Sequence, residues 1–218
     1  MNQQTPLRRR GWVRVRRGGL LAVAFLLAML GFTSPASAAE PAVWIGSPLS
    51  ATWPTGSSLP TQHHIVYGGD WSADLQSVSV GAPVLLYAAP QNGTTPVNAV
   101  VEVVRPACAS GVVADGGYRV TVGLFTGGTK IGTATYAHIN PSVSQGATIS
   151  RWNTQLGVVG NYRSSSCWRG PHVHVELFSQ HNYACYNRGW APGQAMSPTN
   201  FIGFIGGAFA SGPRAACP

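Results

Sequence analysis

The stretch GPHVHVELF, Gly170–Phe178, alternates between polar and apolar residues from His172 to Leu177. A period of two is the signature of a β-strand, whose successive side chains point to opposite faces. His172, His174 and Glu176 then share one face. Val173, Val175 and Leu177 share the other, which suits a core. Two imidazoles two residues apart on one strand face can aim at the same point. The pair reads as a metal or catalytic site rather than as an ordinary polar face. Glu176 either orients a histidine or is a surface carboxylate.

Upstream, the chain is a series of short β-prone runs separated by glycines. VGAPVLLYAA (80–89), VNAVVEVV (97–104), GYRVTVGLF (117–125), KIGTATYAHI (130–139) and LGVVGNY (156–162) precede HVHVELF (172–178). Tyr118, Val120, Val122 and Leu124 fall on one face of their run. No segment has a helical period, and there is no internal repeat. The pattern predicts a mainly β domain with an antiparallel sheet core over residues 63–178. Residues 39–62, rich in Pro, Ser and Thr, read as an irregular lead-in that can pack on the core, and residues 179–218 as a C-terminal extension stapled by disulfides.

Residues 1–38 have the form of a secretory signal peptide. Six arginines precede the apolar run LLAVAFLLAMLGF (Leu20–Phe32), and Ala36-Ser37-Ala38 is a small-residue cleavage signature. The run is shorter than the ~20 residues of a membrane span. The expected product is exported to the medium or cell envelope, with no membrane anchor after cleavage. Of the 14 basic residues, those six leave with the leader, so the mature chain has eight basic against six acidic residues. That balance, with no basic run, excludes a nucleic-acid-binding reading. Cys108, Cys167, Cys185 and Cys217 are even in number in an exported chain, which predicts two disulfides. Cys167–Cys185 is the first pairing to expect. A zinc knuckle would need close cysteine pairs, and none exist.

Two further segments carry candidate chemistry. In TYAHIN, an extended chain puts His138 and Tyr136 on one face, opposite Ala137 and Ile139. Tyr136 either lines a site or packs. In YGGDWSADL (Tyr67–Leu75), Asp70 and Asp74 are four apart, on one side of a strand or on neighbouring turns of a helix. Either arrangement sets two carboxylates together and calls for a cation, a metal or a shared proton. The alternative is a solvated loop with an aspartate capping a turn. Two carboxylates and three imidazoles are the inventory of a hydrolytic metal site. No Gly-x-Ser-x-Gly is present to support a serine hydrolase.

Taken in order and spacing, YRVTVGLF…ATYAHIN, VSQGATISRWNTQLGVVGNY and GPHVHVEL resemble the lysostaphin-type zinc metallopeptidases, which cleave peptides of bacterial peptidoglycan. The resemblance covers roughly residues 63–178. It implies that family's duplicated-hybrid-like β fold, one Zn²⁺ ion and a peptidoglycan substrate. Residue by residue, it implies His174 as a zinc ligand, with His138 and His172 catalytic. The family's His-x-Gly-x-Asp motif falls on Asp70–Asp74, making Asp74 the aspartate ligand. Asp70 stands where the family has histidine, and Ser72 where it has glycine.

That departure has a physical cost. Two histidines and an aspartate around Zn²⁺ leave a net charge of +1, whereas two aspartates and a histidine leave none. Carboxylate oxygens reach zinc at ~2.0–2.2 Å, so the set is feasible. A second anion weakens the ion's pull on its water and relaxes the preference for zinc over other divalent ions. His63 or His64 is the alternative donor to Asp70. The expected function is a secreted metal-dependent peptidoglycan endopeptidase. The competing expectation is a catalytically degenerate member of the same fold that binds or regulates at the cell wall.

Overall fold

The chain divides into two units, Met1–Ala38 and Ala39–Pro218. In the computed structural model, the described residues are 42–46, 48–49, 65–76, 78–90, 96–180, 184–186, 201–206 and 215–216, all in the second unit. The expected leader, His63, His64 and Cys217 lie outside them. Among the described residues, no helix is long and apolar enough to cross a membrane.

The described elements are β1 (Ala42–Gly46), β2 (Trp71–Gln76), β3 (Pro83–Pro90), β4 (Asn98–Pro106), β5 (Tyr118–Thr126) and β6 (Thr129–Pro141). They continue with β7 (Thr148–Ile149), β8 (Trp152–Val159), β9 (His172–Ser179), β10 (Ala184–Tyr186), β11 (Phe201–Gly206) and β12 (Ala215–Ala216). A single 3₁₀ turn, Val113–Asp115, interrupts them. The strand order is β12-β10-β11-β1-β3-β8-β6-β5-β4-β7, with β9 paired to both β6 and β2. The pairs are antiparallel except for β10 with β12. The fold is therefore mainly antiparallel β, as the alternating runs predict.

The core lies on one face of this sheet. Trp71, Ala73 and Leu75 from β2, Val120, Val122 and Leu124 from β5, Ala134 and Tyr136 from β6, and Val173, Val175 and Leu177 from β9 pack in one cluster. Each large aliphatic side chain fully buried here contributes about 1.5–3 kcal/mol. The β5–β6 hairpin turns on Gly127 and Gly128, whose φ angles are 54° and 82°. Positive φ at both central residues is what a two-residue turn needs to match strand twist.

β6 is 13 residues long because it serves two partners on one edge. Gly132–Ala137 pairs with β9, and Ile139–Pro141 pairs with β8. His138 stands at the changeover. On the other edge, Tyr118 faces Ile139 and Arg119 faces Ala137, so His138 is the extra residue of a bulge. Its φ is 68°, in the left-handed region. A bulge turns one side chain across the sheet and resets the alternation beyond it. Hence the expectation that His138 shares a face with Tyr136 fails. Tyr136 and Ile139 both point into the core, and His138 faces away from it.

Two other expectations are corrected. The lead-in is not irregular throughout, since β1 pairs with β3 and β11; its Val43 and Ile45 pack in the core, as that reading allows. Through β11, the C-terminal strands join the same sheet. The cysteine pairing also differs. Cys108 bonds Cys167, with Cα atoms 5.8 Å apart, in place of Cys167–Cys185. The short sequence excursion to Cys185 was no guide, because the connection from β4 to β5 folds against the connection from β8 to β9.

Candidate active site

On the face opposite the core, β2 and β9 are in a register that sets Ser72 against Glu176, Asp74 against His174, and Gln76 against His172. The next strand, β6, places Ala137 beside His174 and Thr135 beside Glu176. Alanine at position 137 leaves room above the sheet for the imidazole. The segment WSADLQ carries the same alternation as HVHVELF, and its pairing with β9 makes it the strand β2.

His174 sits between two carboxylates and is 1% exposed. Its Nδ1 lies 2.7 Å from Asp74 Oδ1, and its Nε2 lies 2.8 Å from Glu176 Oε1. An ionised carboxylate only accepts, so both ring nitrogens donate and the ring is an imidazolium. Burial opposes that charge, but the bonds to Asp74 and Glu176 outweigh it and raise the histidine to about 9. Glu176 is held below its ordinary range. Burial pushes it up, and the bonds from His174 and from the backbone N–H groups of Val66 and Gly69 pull it down further. The N–H of Tyr67 also donates to this carboxylate. Glu176 is thus not a surface carboxylate. It ties His174 to a strap, Val66–Gly69, that crosses the sheet face.

Tyr67 completes the strap. Its ring meets His174 edge-on at 5.8 Å, and its hydroxyl donates to the Ala107 carbonyl at 2.8 Å. The Arg119 guanidinium lies 4.6 Å from the ring centre. Burial raises the phenol to about 12 despite that cation. Composition and spacing gave no sign of Tyr67 in the site.

The other two histidines face the same cleft, which has a volume of about 950 Å³ and includes Asp74 and Arg169 in its lining. The rings of His138 and His172 are 4.5 Å apart, and those of His138 and His174 are 6.5 Å apart. His138 Nδ1–H donates to the Gly116 carbonyl, and His172 Nδ1–H to the Gly170 carbonyl, each at 2.7 Å. A carbonyl only accepts, so Nδ1 carries the proton in both rings when they are neutral. Burial, with the neighbouring His172, lowers His138 to about 4. It is a neutral imidazole with Nε2 as its basic nitrogen.

Four of the five candidate residues therefore meet: Asp74, His138, His172 and His174. Asp70 does not join them. Its carboxylate accepts the Ser179 N–H at 2.9 Å, at the far end of β9 from His172. Tyr136 lies in the core, where burial raises its phenol and the hydroxyl has no hydrogen-bond partner among the described residues.

A three-ligand zinc centre does not fit the described donors. An ion between Asp74 and Nδ1 of His174 would need that proton to leave and a third protein ligand. Glu176 is on the opposite ring nitrogen, whose lone pair diverges from the first, so it cannot share that ion. Asp70 is at Ser179. Among the described residues, no group of three or more His, Cys, Asp or Glu is placed to hold a metal.

No protein-family model matches the chain, and no curated protein matches it. Similar solved structures include a zinc-containing peptidase from Vibrio cholerae, 19% identical, with a TM-score of 0.40. That match covers 63% of this chain and 37% of the other. A second, assigned as a peptidase M23 from Pseudomonas aeruginosa, is 20% identical with a TM-score of 0.34. It covers 72% of this chain and 54% of the other. The chain thus spans only part of either neighbour's length. At these scores the likeness carries no weight for the site, which stands on its own geometry and motifs.

Proposed function

We propose that this cleft is the hydrolytic site of a secreted peptidase of the lysostaphin type, acting on peptide bonds of bacterial peptidoglycan. The observation that carries the reading is the convergence of His138, His172, His174 and Asp74 from three strands onto one cleft. A polar sheet face with a structural role has no use for three imidazoles in contact. The resemblance of TYAHIN and GPHVHVEL to the family motifs supports the substrate class, and the leader-like N-terminus supports export. His138 and His172 offer Nε2 to the cleft. In those positions they take a proton from an attacking water and return it to the leaving amine. In the family, zinc supplies the polarising charge. Here Asp74 and His174 are the only adjacent pair of its ligands among the described residues, so a complete centre needs a donor from outside them, where His63 and His64 stand.

A second reading is favoured by the diversion of Asp70 to Ser179 and by the engagement of both His174 nitrogens with carboxylates. On that reading the chain is a catalytically degenerate member of the fold that binds cell wall. The deciding experiment incubates the mature protein with purified peptidoglycan. It counts new amino termini, and elemental analysis runs alongside. The peptidase reading expects release of amino termini, at least ~100-fold loss on His138→Ala, and little change in metal content on Asp70→Ala. Retained binding to the wall with no new amino termini sinks the first reading and supports the second. Metal content that falls on His63→Ala or His64→Ala locates the further donor.

A further inference from the structure

The connection between β4 and β5 (107–117) and that between β8 and β9 (160–171) form one wall of the cleft. The Cys108–Cys167 bond joins them across 59 residues of sequence. Gly116, whose carbonyl accepts the hydrogen bond from His138 Nδ1–H, lies directly against that bond. A Cβ built on Gly116 would sit 2.3 Å from Cys108 Sγ, 3.4 Å from Cys167 Sγ and 3.2 Å from His138 Nδ1. No side chain fits between the disulfide and the imidazole. Only a glycine lets the sulfurs press on the backbone that holds the ring.

Other ties between the two connections fall on either side of Gly116: Tyr162 packs against Gly117, and the rest reach Ala114 and Asp115. Arg163 donates from Nε to Asp115 Oδ1 at 2.8 Å and from its backbone N–H to the Ala114 carbonyl at 2.9 Å. The Ser165 hydroxyl donates to the Asp115 carbonyl at 2.7 Å. The Arg163–Asp115 contact is exposed and open to exchange with water. The disulfide is covalent, and among the described residues both of its sulfurs lie against Gly116 itself. His172 differs. Its carbonyl partner, Gly170, is two residues upstream in the same connection, so that bond does not span the two clamped connections.

We infer that Cys108 and Cys167 are positioning residues of the site: their disulfide holds the Gly116 carbonyl on Nδ1 of His138 and so fixes the tautomer that presents Nε2 to the cleft. The consequence for hydrolysis rests on the proposed peptidase reading, but the positioning itself does not.

The test reads the tautomers directly, by two-bond ¹⁵N–¹H correlation of the histidine rings at neutral pH. The oxidised protein is expected to show both His138 and His172 as Nδ1–H. In folded Cys108→Ser/Cys167→Ser, His138 is expected to lose the single Nδ1–H pattern while His172 keeps it. Retention of Nδ1–H at His138 in that variant overturns the inference. Parallel loss at His172 also overturns it, because that signals general loosening. Should the double variant not fold, Gly116→Ala keeps both cysteines and displaces the glycine from the bond. The same selective change at His138 is expected with no free thiol detected, and an unchanged His138 overturns the inference. No activity enters this readout, so a protein that fails to hydrolyse peptidoglycan defeats the peptidase reading alone. Should it hydrolyse, kcat falls in step with the lost tautomer and KM holds.

Discussion

His138 shows how one residue's placement sets a measurable property. Its ordinary value is 6.5, and burial with the nearby His172 lowers it to about 4. The unfolded chain therefore binds a proton below pH 6.5 that the folded chain refuses until about 4. This contribution to stability is complete above the unfolded value and is lost as pH falls through that window. Its size is at most about 3 kcal/mol. Urea unfolding between pH 4 and 7 should show stability rising with pH in the wild type, with a shallower rise in His138→Gln. Equal slopes would assign the effect to another group. The tyrosine two residues earlier makes the complementary point. Strict alternation puts Tyr136 beside His138, and a single bulge puts it in the core. Nothing in TYAHIN announces the bulge, because its cause is the change of partner from β9 to β8. Asp70 and Asp74 diverge for a related reason. Both are on the polar side of the β2 path, but each is held by a different part of β9.

Among the elements, β9 was the most legible and bears the most. Its alternation is plain in the sequence, and the structure puts His174 and Glu176 on one face and Val173, Val175 and Leu177 on the other. Leu177 is fully buried between β2 and β6, opposite Trp71 and Ala134. Leu177→Ala should cost about 2–5 kcal/mol in denaturant unfolding. A cost below 1 kcal/mol, on a scale where core deletions of this kind typically exceed 2, would mean that the face assignment is wrong. β2 carried the same alternation, but two aspartates four apart share a side in a helix as well as in a strand. Only pairing with β9 distinguishes the two and puts Asp74 against His174, 100 residues away in sequence.

The whole molecule closes through contacts that join distant parts of the chain. β1 lies between β3 and β11, so the C-terminal strands extend the sheet rather than hanging from it. A chain ending at Gln180 would leave an edge of β1 unpaired, and exposed edges recruit other chains. Such a truncation should lower Tm and form oligomers on size-exclusion chromatography. An unchanged Tm with a monomeric profile would detach β10–β12 from the folding unit. The sequence by itself determined the β character, the core faces of β5 and β9, and three histidines with two aspartates, Asp70 and Asp74, as the chemical inventory. These follow from local periodicity and residue type. Only the tertiary structure decided that Asp70 leaves the site, that His138 turns across the sheet, that Glu176 and the Val66–Gly69 strap hold His174, and that Cys108 takes Cys167. Each of these depends on which distant segments come into register, and a chain's local pattern carries no record of that.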